Sequence, residues 1–189
     1  KNKKKFLKKN IKVFNSLKSL KLSIIKNKID YIMCAISGLD GLDSTISSIS
    51  ITKNIAIANK ESIICAWRII EKKLITNKTN FIPVDSEHFS IWSLLKNESI
   101  DRVDNVFITA SGGPFLNYKL NKLKNVKAKQ AIKHPNWNMG KKISIDSATL
   151  MNKVFEVIEA QRIFNINIKK FKILIHPSSY IHSIIKFIN

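Results

Sequence analysis

Cysteine, arginine and acidic residues are scarce in these 189 residues, and long apolar runs are missing. Two cysteines, Cys34 and Cys65, cannot build a secreted disulfide framework, and neither has spaced partners for zinc or redox chemistry. Both read as core thiols in a reducing compartment. No stretch reaches the roughly 18 consecutive apolar residues of a bilayer-crossing helix, which excludes a helical membrane-spanning protein. Only Arg68, Arg102 and Arg162 are arginines, so the bidentate fork on which specific base and phosphate readers rely is nearly absent. Apart from a lysine-rich start there is no low-complexity segment.

The composition that remains is that of a folded protein. Apolar residues reach 44% and charged residues 24%, too apolar for intrinsic disorder and enough for a sizeable core. The 33 cationic side chains against 13 acidic ones give a net charge of +20. Such a charge attracts polyanions, so a basic nucleic-acid binder is one reading. The abundance of Lys, Ile and Asn matches an A+T-rich coding bias. Most of the charge is therefore read as drift of exposed positions towards lysine, with weak anion binding but no specific nucleic-acid partner. The stretch Lys1 to Lys9 lacks the apolar centre of a signal peptide. The chain starts without Met and stops at Asn189 on a strand-like run, so it reads as a piece of a longer protein.

Hydrophobic patterning predicts an α/β fold. The run Ile29 to Ile36 reads as a buried strand, Leu39 to Ile49 as a short amphipathic helix, Ile55 to Ala58 as a strand and Glu61 to Leu74 as a helix. Strand, helix, strand in that order implies a βαβ unit with a parallel sheet. Strands are also expected at Phe81 to Val84, Asn105 to Thr109, Lys172 to Ile175 and Tyr180 to Ile188, and a short helix at Ser90 to Leu95. The longest helical pattern spans Asp146 to Phe164, with Leu150, Met151, Val154, Phe155, Ile158 and Ile163 on its apolar positions. That periodicity alone turns Lys153 and Glu156 towards water.

Three segments carry chemistry. In Pro83-Val84-Asp85-Ser86-Glu87-His88, two carboxylates at i and i+2 at a strand end project to the same side. With a third carboxylate from elsewhere they offer hard oxygen ligands to Mg²⁺ or Mn²⁺. In Ser111-Gly112-Gly113-Pro114-Phe115, paired glycines let backbone amides approach an anion. In the third segment Asp146 or Ser147 is a candidate helix N-cap, where free amides and the dipole favour phosphate. Asn152 and Glu156 are four residues apart on one face, with Lys153 beside them. His88 reads as a neighbour of the acidic pair, and His176 and His182 as structural.

Taken together these segments resemble the 1-deoxy-D-xylulose 5-phosphate reductoisomerase family. The resemblance is carried by Ala58-Asn59-Lys60-Glu61-Ser62, the Pro83–His88 and Ser111–Phe115 runs, and His134-Pro135-Asn136-Trp137 with Met139-Gly140-Lys141-Lys142-Ile143. Asp146-Ser147-Ala148-Thr149 with Met151-Asn152-Lys153, and Ile175-His176-Pro177 with Ile181-His182-Ser183, complete it. The motifs occur in the family's order from about Ile29 onward. The family's Gly-rich loop for the NADPH pyrophosphate has no counterpart here, nor has its C-terminal helical domain.

The resemblance implies the latter part of a doubly wound, Rossmann-like parallel-sheet domain for NADPH over residues 1–84. An α/β catalytic domain would follow over 85–189. It implies NADPH- and divalent-metal-dependent isomerisation and reduction of a sugar phosphate, with Asp85, Glu87 and Glu156 as metal ligands. Lys60 and Ser86 would meet the reacting end of the substrate, and Ser111, Ser147, Asn152 and Lys153 its phosphate. Asn59, Glu61 and Gly140 would touch NADPH. His134 and Trp137 would lie on a mobile loop, Gln130 to Lys141, that closes over the site. A homodimer in the bacterial cytoplasm is implied, with a plastid-type organelle as the alternative and no membrane partner.

Overall fold

The computed structural model describes residues 11–24, 28–133 and 140–188. They fall into two compact units, Lys1–Ile82 and Pro83–Asn189. Among the described residues, no helix is long and apolar enough to cross a membrane.

In the first unit a short helix α1 (Leu17–Ser23) precedes β1 (Ile29–Cys34), α2 (Gly41–Ile49), β2 (Thr52–Ile57), α3 (Lys60–Asn77) and β3 (Asn80–Pro83). The strands form one sheet in the order β1-β2-β3. β1 and β2 run parallel, with Ile32 opposite Ile55 and Cys34 opposite Ile57, as a βαβ unit requires. Central β2 carries the buried core positions Ile55, Ala56 and Ile57. Among the described residues β1 pairs with β2 alone, and Tyr31 and Met33 are exposed on it where the apolar run predicted burial. An apolar run alone cannot tell a central strand from an edge. β2 begins three residues earlier than expected because Thr52 is tied in, its Oγ1 donating to Ile29 O at 3.0 Å and to Asn54 O at 2.8 Å.

The second unit opens with α4 (Ser86–Leu94), a single 3₁₀ turn (Ile100–Arg102) and β4 (Val103–Ala110). The short helices α5 (Leu120–Leu123) and α6 (Ala128–Ala131) follow, then α7 (Lys141–Ala148), α8 (Met151–Phe164), β5 (Phe171–Ile175) and β6 (Ser183–Phe187). β4 is the middle strand of a mixed sheet, parallel to β5 and antiparallel to β6. Its inward side chains Val103, Val106 and Ile108 pack with Ile91 of α4, with Ala160 and Phe164 of α8, and with Ile166 and Phe171. Covering β4 in this way sets α4 and α8 side by side, and both carry the acids singled out above.

The long helix expected over Asp146–Phe164 is two helices. Leu150 adopts a left-handed conformation (φ 60°, ψ 7°) between α7 and α8 and ends the first. Neither Asp146 nor Ser147 is an N-cap, because α7 already starts at Lys141 behind Gly140. α8 also turns the opposite way from its apolar periodicity. Lys153, Glu156 and Glu159 are buried together with Ala160 and Phe164, while Val154 is 44% exposed. The charged face points inward because it is answered there by other polar groups.

Candidate functional site

The site starts at the end of β3. Asp85 is the N-cap of α4, its Oδ1 accepting from Glu87 N at 3.2 Å. Capping fixes Asp85 just ahead of the helix and puts Glu87 in its first turn, where the dipole favours a carboxylate. The two acids are thus gathered by a helix start rather than by strand alternation, a correction to the sequence reading. Ser86 Oγ donates to Glu87 Oε2 at 2.7 Å.

Glu156 arrives from α8, 1% exposed. Ligand oxygens of Asp85, Glu87 and Glu156 all lie within 4.8 Å of one another. Three carboxylates so close repel unless a cation sits among them. Lys153 provides one, with Nζ 2.5 Å from Glu87 Oε1 and 2.6 Å from Glu156 Oε2. Burial works to discharge this ammonium, but the Glu156 and Glu87 carboxylates outweigh it and raise its pKa above the ordinary lysine value. Asn152 Nδ2 donates to the remaining Glu156 oxygen, Oε1. An all-oxygen donor set that already attracts a cation fits Mg²⁺ or Mn²⁺.

His88 is buried between the two helices, its Nε2 2.8 Å from the main-chain oxygen of Glu156. Asp85, His88 and Glu159 form a second close group, with His88 Nδ1 3.6 Å from Asp85 Oδ1 and 4.0 Å from Glu159 Oε2. Sequence reading missed Glu159. A buried acid one turn beyond Glu156 has no signal in periodicity when the whole face is charged.

Next to the carboxylates lies a small solvent-open pocket. Ala110, Ser111, Gly112, Ser147, Leu150, Asn152 and Lys153 line it. Gly112 and Gly113 both have positive φ, and Gly113 N donates to Ser111 Oγ at 3.3 Å. Asn152 and Lys153 occupy the first turn of α8, where the Lys153 N–H donates to Leu150 O at 3.0 Å. The helix N-terminus at this pocket is that of α8 and not one capped by Asp146 or Ser147.

The structure gathers Asp85, Ser86, Glu87, Ser111, Ser147, Asn152, Lys153 and Glu156 around the carboxylates and the pocket. Gly140 is the N-cap of α7, exposed, with its carbonyl accepting from Ser144 N at 3.0 Å. Asn59, Lys60 and Glu61 belong to the first unit. Asn59 caps α3 through Oδ1, 2.7 Å from Ser62 N, and its amide donates to Ile36 O and Gly38 O. Lys60 and Glu61 form the first turn of α3 and are half-buried. His134 and Trp137, with most of the expected loop, lie outside the described residues. Of the two cysteines Cys34 is a core thiol as expected, whereas Cys65 is exposed.

Fold and site together define an α/β protein with a carboxylate cluster that could hold a hard cation, set beside a pocket lined by Ser111, Ser147, Asn152 and Lys153. Comparison with known proteins narrows this class. The model of 1-deoxy-D-xylulose 5-phosphate reductoisomerase matches residues 1–67, and that of the C-terminal domain of the same enzyme matches residues 81–164. The chain belongs to the 1-deoxy-D-xylulose 5-phosphate reductoisomerase family. It is 62% identical over 180 residues to the reductoisomerase of Pelagibacter ubique (strain HTCC1062), which covers 95% of this chain and 46% of that protein. The Zymomonas mobilis enzyme, solved in complex with NADPH, superposes with a TM-score of 0.77 at 39% identity, covering 89% of this chain and 42% of that one. A reductoisomerase solved with NADPH, fosmidomycin and magnesium superposes with a TM-score of 0.81 at 32% identity, covering 97% and 48%. The chain thus spans about half the length of the curated relatives it matches.

Proposed function

We propose that the protein containing this chain converts 1-deoxy-D-xylulose 5-phosphate to 2-C-methyl-D-erythritol 4-phosphate in the non-mevalonate isoprenoid pathway. NADPH is the reductant and Mg²⁺ or Mn²⁺ the metal. The observation that carries this reading is the meeting of Asp85, Glu87 and Glu156 beside the Ser111, Ser147, Asn152 and Lys153 pocket, in a chain 62% identical to a reductoisomerase. Residues 85–189 form the catalytic part in this reading, and residues 1–84 the latter part of the NADPH-binding domain.

In this reading Asp85, Glu87 and Glu156 hold the metal. A divalent ion bound there supplies Lewis-acid stabilisation of the charge that develops on the substrate oxygens as the carbon skeleton rearranges. Ser111 and Ser147 donate to the phosphate from opposite walls of the pocket, and Asn152 and Lys153 add an amide and an ammonium from the first turn of α8. That grip fixes the far end of the substrate and so orients its reacting end. Ser86, already hydrogen bonded to Glu87, and Lys60 serve the reacting end. Asn59, Glu61 and Gly140 serve NADPH, with Asn59 acting by shaping the turn ahead of α3.

A homodimer through the second sheet is part of the proposal. Leu174 on β5 and Ile184 on β6, opposite Thr109 and Phe107 of β4, share the sheet face that alternates with the inward residues Val106 and Ile108; each is at least 40% exposed, and a second subunit would cover them. A cytoplasmic location in a bacterium accompanies it. The test is NADPH oxidation by the full-length protein with Mn²⁺ and 1-deoxy-D-xylulose 5-phosphate. Substrate-dependent oxidation is expected, and Glu156→Gln should weaken Mn²⁺ binding by about 100-fold or more, since even outer partners of metal ligands are worth about 10–100-fold. Absence of oxidation in the full-length protein would overturn the assignment.

A further inference from the structure

Two donors suited to an anion are turned onto carboxylates suited to a cation. Lys153 Nζ bridges Glu87 Oε1 and Glu156 Oε2, and Asn152 Nδ2 holds Glu156 Oε1. Yet both side chains also line the pocket with Ser111 and Ser147. Each lies on the boundary between the two halves of the site.

The two arrangements exclude each other. Mg²⁺ takes carboxylate oxygens at about 2.0–2.1 Å. An ammonium 2.5 Å and 2.6 Å from oxygens of the same carboxylates would sit against that ion, with like charge. A metal therefore expels Lys153 Nζ, and Lys153 is also a lining residue of the adjoining pocket. The reverse also holds. A phosphate in the pocket draws Lys153 and Asn152 away and so removes one positive charge and one donor from beside Glu87 and Glu156, which raises their affinity for a cation. His88 holds the backbone of Glu156 against α4, so the exchange needs side-chain movement alone.

We infer that Lys153, assisted by Asn152, is an exchangeable counter-ion that couples the metal site to the phosphate pocket, so that each ligand tightens the other. The inference rests on the assignment of Asp85, Glu87 and Glu156 as metal ligands and of the adjoining pocket as the phosphate site. Because linkage is reciprocal, the coupling is measurable from either ligand.

The test titrates the full-length protein with Mn²⁺, reading free Mn²⁺ by electron paramagnetic resonance, with inorganic phosphate as the probe and Mn²⁺–phosphate complexation corrected for. Phosphate should tighten Mn²⁺ binding by about fivefold or more, within the usual coupling range of about 5–150-fold. Without phosphate, Lys153→Met should bind Mn²⁺ about fivefold or more tighter than wild type, and phosphate should no longer alter it. Lys153→Arg, which keeps the charge, should return phosphate-free Mn²⁺ affinity towards wild type. A residue that only grips phosphate would leave phosphate-free Mn²⁺ affinity unmoved, so wild-type affinity in Lys153→Met overturns the inference. Persistence of the phosphate effect in that variant overturns it too, as does phosphate-independent Mn²⁺ binding by wild type, which requires no variant. Mn²⁺ bound equally well by Glu156→Gln would remove the metal-site assignment itself, and the coupling with it.

Discussion

His88 Nε2 donates a hydrogen bond to the main-chain oxygen of Glu156 at 2.8 Å, joining α4 to α8 inside the second unit. A carbonyl only accepts, so the proton sits on Nε2, and Nδ1 faces Asp85 Oδ1 at 3.6 Å. One imidazole thereby touches the backbone of one carboxylate-bearing residue and lies beside the side chain of another. In the proposed site the ring ligates nothing, and its contacts suit it to position the acids.

His88→Ala should empty a fully buried ring and remove the link from α4 to the Glu156 carbonyl, lowering unfolding free energy by about 2–4 kcal/mol. Mn²⁺ affinity should fall as well, and His88→Gln, which keeps a donor near the Nε2 position, should recover more of it than Ala. Urea denaturation and Mn²⁺ titration of the two variants check this. Unchanged Mn²⁺ affinity in His88→Ala would show that the ring does not position the acids.

Gly113 brings the Ser-Gly-Gly loop against the end of α7. Its φ is +67°, and a Cβ there would lie 3.0 Å from Ser147 O and 3.3 Å from Ala148 Cα. Gly113→Ala should cost about 1–3 kcal/mol and push Ser111 away from Ser147, weakening phosphate binding. Calorimetric phosphate titration beside a thermal melt separates the two effects. Full phosphate affinity in a destabilised variant would mean that the loop does not set the pocket.

Lys78 ends α3 in a left-handed conformation, φ 51°. Its N–H donates to Ile75 O at 3.1 Å and Thr79 N–H to Leu74 O at 3.0 Å, the paired bonds of a Schellman turn. Only glycine takes this conformation without cost, so Lys78→Gly should stabilise the protein by about 1 kcal/mol. A lower midpoint in denaturant would indicate that the lysine stem contributes more than its backbone strain removes.

Burial pushes the Cys34 thiol pKa up, with hydrogen bonds from Thr45 and Ser48 working in the opposite direction. Cys65 lies exposed on α3. Since the thiolate is the nucleophile, iodoacetamide should label Cys65 first and Cys34 only slowly, until denaturant equalises them. Peptide mass spectrometry over a time course reads both sites, and equal native rates would contradict the buried placement of Cys34.

Strands and short helices were legible wherever apolar runs or alternation met a turn, as at Ile29–Cys34 and Val103–Ala110. The break at Leu150 was not, because no glycine or proline marks it and the left-handed residue is a leucine. The inward face of α8 was not legible either. Its apolar residues Met151 and Val154 are exposed, while Lys153, Glu156 and Glu159 are buried beside Ala160 and Phe164, against what hydrophobic periodicity assumes. Asp85 and Glu87 stood out as a pair, but the reason they converge is a helix cap.

Local order therefore settled the chemistry on offer: the acids at 85, 87 and 156, the hydroxyls at 111 and 147, the amide and ammonium at 152 and 153, and their likeness to one enzyme family. Tertiary structure alone brought Glu156 across some seventy residues to the start of α4 and aimed Lys153 at two carboxylates. Charges buried next to opposite charges are stable where the same charges buried alone are not, and that compensation comes from residues distant in sequence. Periodicity sees only one helix at a time, so the partner that makes a charged inner face tolerable stays invisible until the chain has folded.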